Sequence, residues 1–159
     1  MFVRACVELP LPVERLAGLL THDPERWIPG LAASSEELGD GLLLQVGFPI
    51  DNHRLDRRVE LDLGAPVQTP GRTWLPLTWR AVSKPGLFPH LEGELEVAPL
   101  GNDLTQVGLS ARYKPPFGLI GESLDRALLH RVAEATIRDF VERVAAGLVE
   151  LSRASNGHR

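Results

Sequence analysis

Cysteine, lysine and long apolar runs are what this sequence has least of. One cysteine, Cys6, in 159 residues excludes an intramolecular disulfide. Cys6 falls in an alternating N-terminal segment, where a small buried residue is expected and not a nucleophile. Lysine occurs only at positions 84 and 114, against fifteen arginines, a bias that points to a GC-rich genome and to no activity. Acidic residues outnumber basic ones, 21 to 17, and a net charge of −4 leaves no electrostatic case for nucleic acid. No run approaches the roughly 18 apolar residues that span a membrane. The N-terminus alternates and carries charge where a signal peptide needs an unbroken apolar stretch. A cytoplasmic protein is therefore expected. Proline, frequent elsewhere, is missing after Pro116, so nothing interrupts a helical pattern that runs about thirty residues to Leu151.

What is present suits one domain: 43% of residues are hydrophobic and 24% charged. The domain is expected over 1–151, with a flexible tail at 152–159. Phe2 to Leu9 reads as a strand closed by Pro10 and Pro12. Helical spacing follows over Val13–Leu20. A second short helix is expected with Thr21 or Asp23 as its cap, Pro24 at its first position, and Pro29-Gly30 as its stop. Strands are then expected at Glu36–Leu38 and Leu42–Phe48 around a Gly39-Asp40-Gly41 turn, at His53–Leu63, and at Thr73–Val82 after Pro70-Gly71. The odd positions Leu75, Leu77, Trp79 and Ala81 look inward, and Pro76 favours an edge or a bulge.

The clearest hairpin joins Leu91–Val97 to Thr105–Ala111. A register in which paired numbers sum to 202 sets Leu95 by Val107 and Leu91 by Ala111, with the apolar side chains on one face. Such a face needs a cover, and the last helix is the only element large enough. Its apolar residues step by four through Ile120, Leu124, Leu128, Val132, Thr136, Phe140, Val144 and Leu148. At about 100° per residue, each step drifts roughly 40° around the axis. The stripe winds round the helix, so the helix bends or crosses a strongly curved sheet.

The order is strand, two short helices, about six antiparallel strands and a long C-terminal helix. With Tyr113-Lys-Pro-Pro-Phe-Gly-Leu-Ile-Gly121, Leu124–Thr136 and Leu87–Leu95, it resembles the bacterial SRPBCC proteins. That superfamily includes START-like and polyketide cyclase/dehydrase proteins. The resemblance covers nearly the whole chain, and an actinobacterial subgroup is closely similar. It implies an α+β helix-grip, Bet v 1-like fold, with a cavity between the curved sheet and the long helix. It names no activity, because lipid carriers, hormone receptors, cyclases and chaperone activators share the fold.

No catalytic constellation stands out. His22, His53, His90, His130 and His158 never reach metal-ligand spacing with one another or with Cys6, and no metal or cofactor is expected. Gly108–Arg112 lacks the second glycine of a nucleophile elbow. Gly118 and Gly121 lack the Lys-Ser/Thr of a phosphate loop. Glu92, Glu94 and Glu96 share one polar strand face and read as solvated.

The candidates are therefore cavity-lining residues: Trp27, Trp79, Leu91, Leu95, Leu109, Tyr113, Phe117, Ile120, Leu124 and Leu128. His90 and Arg112 are candidate polar anchors, although their parity is that of the outer face. The expected partner is a small hydrophobic molecule, such as a lipid, isoprenoid or polyketide-like compound. A cyclase or aromatase-like enzyme and a protein-interaction module with a filled core are the alternatives.

Overall fold

Alternation and proline set the first elements. In the computed structural model, which describes residues 1–33, 42–50, 53–82, 90–114 and 126–157, strand β1 runs Phe2–Leu9. Pro12 stands at the N-cap of α1 (Val13–Ala17), a 3-10 turn covers Leu19–Thr21, and Pro24 opens α2 (Pro24–Trp27). Neither expected polar cap acts. Asp23 sits at φ 36 and makes no side-chain cap bond, and the Thr21 hydroxyl donates to the Gly18 carbonyl at 2.7 Å instead.

Seven strands follow among the described residues: β2 (Ala32–Ala33), β3 (Leu42–Ile50), β4 (His53–Leu63), β5 (Val67–Thr69), β6 (Arg72–Ala81), β7 (His90–Pro99) and β8 (Thr105–Lys114). The last element is α3 (Arg126–Asn156). All pairings are antiparallel in one sheet ordered β1-β8-β7-β6-β4-β3-β2, with the short β5 alongside β6. The expected strand at Glu36–Leu38, the Gly39–Gly41 turn and the junction at 115–121 lie outside the described residues.

The β7–β8 register differs from the expected one by two residues. Leu95 pairs with Leu109, and Leu91 with Tyr113. The strands run on to Pro99 opposite Thr105, and the turn shortens to five residues closed by the Leu100 N–H on the Leu104 carbonyl at 2.8 Å. A slip of two keeps every side chain on its own face, so the expected inner face survives. Pro76 marks a bulge. Leu63 of β4 pairs with Leu77, but Val67 of β5 pairs with Trp74, a shift of one residue. The Gly64 N–H reaches the Pro76 carbonyl at 2.8 Å across this break, where proline's missing N–H does least harm. Gly93 permits sharp curvature nearby, since a Cβ there would stand 2.7 Å from the Ser110 carbonyl oxygen and 2.8 Å from the Ala111 Cβ.

Helix α3 explains its winding stripe by what it touches. It packs against β1 and β8 on one flank and β3 on the other, while β4, β6 and β7 lie farther from its backbone among the described residues. The sheet therefore wraps round the helix, and a broad helical face is buried: Ala133, Thr136, Ile137, Phe140, Val141, Val144, Ala145 and Leu148. The helix continues past Leu151 to Asn156, because Ser152 is buried and the Ser155 hydroxyl donates to the Leu151 carbonyl at 3.0 Å. Residues expected as a loose tail are thus helical through 156.

Candidate functional site

Strand pairing places one row of side chains across the inner face. Leu61 pairs with Trp79, Trp79 with Leu91, and Leu91 with Tyr113. The row therefore crosses β4, β6, β7 and β8 at one level. All four side chains are buried, with Tyr113 at 4% exposure. Met1 extends the row: its ammonium donates to the Tyr113 carbonyl and its own carbonyl accepts from the Tyr113 N–H, both at 2.8 Å. Met1 also meets His130, Sδ to Nδ1 at 3.3 Å, which sets this end of the sheet beside the early turns of α3.

The described inward residues of α3 mix small and large: Ala133, Thr136, Ile137, Phe140, Val141, Val144, Ala145 and Leu148. The Thr136 hydroxyl is spent on the Val132 carbonyl at 2.7 Å, so its methyl is left for the interior. Phe140 closes the gap to the sheet by meeting Trp79 edge to face, with ring centroids 5.3 Å apart and planes at 77°. Phe140 thus brings the long helix onto the row at Trp79.

The polar groups on this face are few. The Trp79 indole Nε1 is buried and has no hydrogen-bond partner among the described residues. The Tyr113 phenol is pushed up to about 12 by burial, so it stays protonated at neutral pH. It can donate a hydrogen bond there but cannot act as a base.

The expected site residues divide cleanly. Trp79, Leu91, Leu95, Leu109 and Tyr113 share the inner face, Leu95 and Leu109 as a pair two residues along each strand from the row. Trp27 is buried elsewhere: it lies in α2 against the later half of α3, where its backbone abuts Gly147, and its indole donates to the His22 carbonyl at 3.1 Å. It packs α2 closely against α3 at Gly147 and does not join the row. Leu128 lies within α3 with its side chain outside the described residues, as are Phe117, Ile120 and Leu124 altogether.

His90 and Arg112 are not on the inner face. Arg112 is exposed beside Glu92, its partner across the strands, and His90 Nε2 lies 3.0 Å from Glu92 Oε1. Strand alternation sends both to the outer side with the glutamates. There Glu96 pairs with Arg72, and Glu60 pairs with Arg80 at 3.2 Å. Cys6 is likewise exposed, against the expectation of burial, because its parity on edge strand β1 is that of Arg4 and Glu8. Phe140, absent from the expected lining residues, meets Trp79, and its place on the helical stripe was a signal.

Among the described residues no three His, Cys, Asp or Glu side chains cluster as metal ligands. No described helix is long and apolar enough to cross a membrane. A separate open groove of about 360 Å³ runs between β1 and α3, with Val7, Leu9, Ala145 and Val149 on its floor and Glu142, Glu150 and Arg153 at its rim.

No family model matches the chain, and no curated protein matches its sequence. Solved structures do match. A conserved protein from Geobacillus kaustophilus is 18% identical, with 92% of this chain and 94% of that one covered at a TM-score of 0.56. The Zhui aromatase/cyclase from Streptomyces sp. R1128 is 15% identical over 96% of this chain and 93% of that one, at 0.52. A START superfamily protein from Mycobacterium smegmatis is 18% identical over 94% and 98%, at 0.50. Together with the wrapped antiparallel sheet and the long last helix, these define the class: the chain has the Bet v 1-like helix-grip fold of the SRPBCC proteins.

Proposed function

We propose that this protein binds a small hydrophobic molecule, of lipid, isoprenoid or polyketide-like character, between the Trp79–Leu91–Tyr113 row and the first half of α3. The observation that carries this reading is the apolar inner face of the wrapped sheet, on which Trp79, Leu91 and Tyr113 form one buried row beneath the long helix. Binding would rest on apolar burial, with a few polar groups orienting the ligand. The structural neighbours named as an aromatase/cyclase and a START superfamily protein support the same reading. A cytoplasmic location and a role without nucleic acid belong to it as well.

Native mass spectrometry of protein purified from its own host tests the proposal, alongside titration with a naphthalene-based hydrophobe. The expected results are a copurifying small molecule and saturable binding. A ligand-free protein that binds no hydrophobe would refute it. A cyclase-like enzyme is the second reading, and one observation favours it: Tyr113 sets a phenol on the inner face. With His90 and Arg112 outside, that enzyme would act by orienting a reactive chain and donating one hydrogen bond.

A further inference from the structure

We infer that the molecule bound here is an uncharged hydrophobe carrying a hydrogen-bond acceptor, a carbonyl or ether oxygen, that takes the indole N–H of Trp79. The inference rests on the proposed binding function and narrows its ligand class. Buried donors without a partner are rare in folded proteins, and an indole N–H can only donate. This fold satisfies such a group where the group is structural. Trp27, also buried, gives its N–H to the His22 carbonyl at 3.1 Å. Trp79 is 0% exposed and its Nε1 has no partner among the described residues. Its surroundings explain why: Leu61 and Leu91 flank it in the row and Phe140 meets its ring, and none offers an acceptor.

The same surroundings select against charge. Besides Tyr113 and the two buried indoles, the buried polar side chains among the described residues are Thr73, Thr105, Thr136 and Ser152, none of them a cation or an anion. Arg80 and Arg112 stand on the outer face, Arg80 against Glu60. Among the described residues, a carboxylate brought to Trp79 would meet no buried counter-ion, and an ammonium would find neither a buried carboxylate nor, at Trp79, an acceptor. Tyr113, two strands away and therefore about 10 Å off in backbone terms, adds a second neutral donor whose burial keeps it protonated. Two donors on an apolar wall suit a molecule with oxygen acceptors spaced along a hydrocarbon body.

Three probes of one shape test this: 2-acetylnaphthalene, 2-ethylnaphthalene and 2-naphthoate. Each is titrated into the 15N-labelled full chain, whose indole resonances come from Trp27, Trp74 and Trp79, with W79F assigning the last. The ketone is expected to bind about tenfold tighter than the ethyl compound, the yield of one hydrogen bond. It should move the Trp79 indole proton downfield at saturation, and naphthoate should bind more weakly than the ketone at pH 7. W79F should bind both neutral probes equally.

A Trp79 resonance unmoved by saturating ketone overturns the inference, as does a ketone preference that survives in W79F or a tightest affinity for naphthoate. Equal binding of ketone and hydrocarbon by the native chain overturns it while leaving hydrophobic binding intact. Binding of none of the three removes both. Should W79F fail to fold, the resonance shift and the affinity ratio of the native chain decide.

Discussion

Replacing Gly147 by alanine tests how tightly the long helix is clamped. At an open helical site this change stabilises by about 1 kcal/mol, because glycine is a poor helix former. Here the new Cβ would stand 2.2 Å from the Trp27 carbonyl oxygen, 2.9 Å from its carbonyl carbon and 3.0 Å from Pro29 Cδ. The nearest atoms are backbone and cannot rotate away. Relief requires α3 and α2 to separate by roughly an ångström, loosening the fully buried Trp27. Overpacking of this kind costs about 1–3 kcal/mol and occasionally more. With so short a contact the upper end applies, so the net loss after the propensity gain is about 2 kcal/mol. In a domain of this size that lowers the melting temperature by about 4–8 °C. The control is Ala146→Gly at the exposed neighbouring position, which should lose about 1 kcal/mol through propensity alone. Circular dichroism melts of both variants measure the difference. A G147A protein that melts at or above the native temperature would show that α2 does not press on α3 as described.

Other outcomes follow from the same geometry. Tyr113 is the sole tyrosine, so absorbance at the phenolate band should show its ionisation near pH 12 and not near 10. Because the unfolded chain ionises first, stability is fully kept below pH 10 and falls by about 1.4 kcal/mol per unit between 10 and 12; chemical denaturation across that range reads it, and a midpoint near 10 would place the phenol in solvent. The Cys6 thiol should react with a disulfide reagent in the native protein without denaturant, and Cys6→Ser should leave the melting temperature unchanged; a thiol that titrates only after unfolding contradicts its exposure. Arg112→Ala and His90→Ala should alter the affinity for a hydrophobic probe by less than about twofold, since both side chains lie on the outer face. A larger loss at either would return that residue to the site.

The fold was legible because period and punctuation agree. β1 matches its expected bounds at both ends, since alternation stops where Pro10 begins. α2 starts at Pro24, where a fixed φ favours a first helical turn. What escaped were features that depend on partners distant in sequence. The β7–β8 register slipped by two because alternation has period two and cannot distinguish shifts of that size; only the turn geometry does. Asp23 has the composition of a helix cap, yet its left-handed backbone leaves it without a cap bond. Cys6 was misread for a related reason. Its size suggests burial, while its parity with Arg4 and Glu8 decides its exposure.

The site divides along the same line. Membership of the inner face follows from parity, which is why Trp79, Leu91, Leu95, Leu109 and Tyr113 were readable and why His90 and Arg112 could be assigned outward from the strand pattern. The state of a polar atom on that face is not a property of pattern. Trp27 and Trp79 are the same residue type, both buried, and each was an equal candidate for a lining. What separates them is a carbonyl: His22 lies five residues before Trp27 in a tight helical connection and meets its N–H, whereas Trp79 sits within β6, paired with Leu61 on one side and Leu91 on the other. A strand offers a side chain on its face no backbone acceptor, because the acceptors point along the sheet. An inward indole on a strand therefore depends on a side chain, the covering helix or a bound molecule for its partner. α3 presents Phe140 to it. The unmet donor thus follows from the fold's own geometry, and it gives the apolar interior a direction that hydrophobicity alone could not supply.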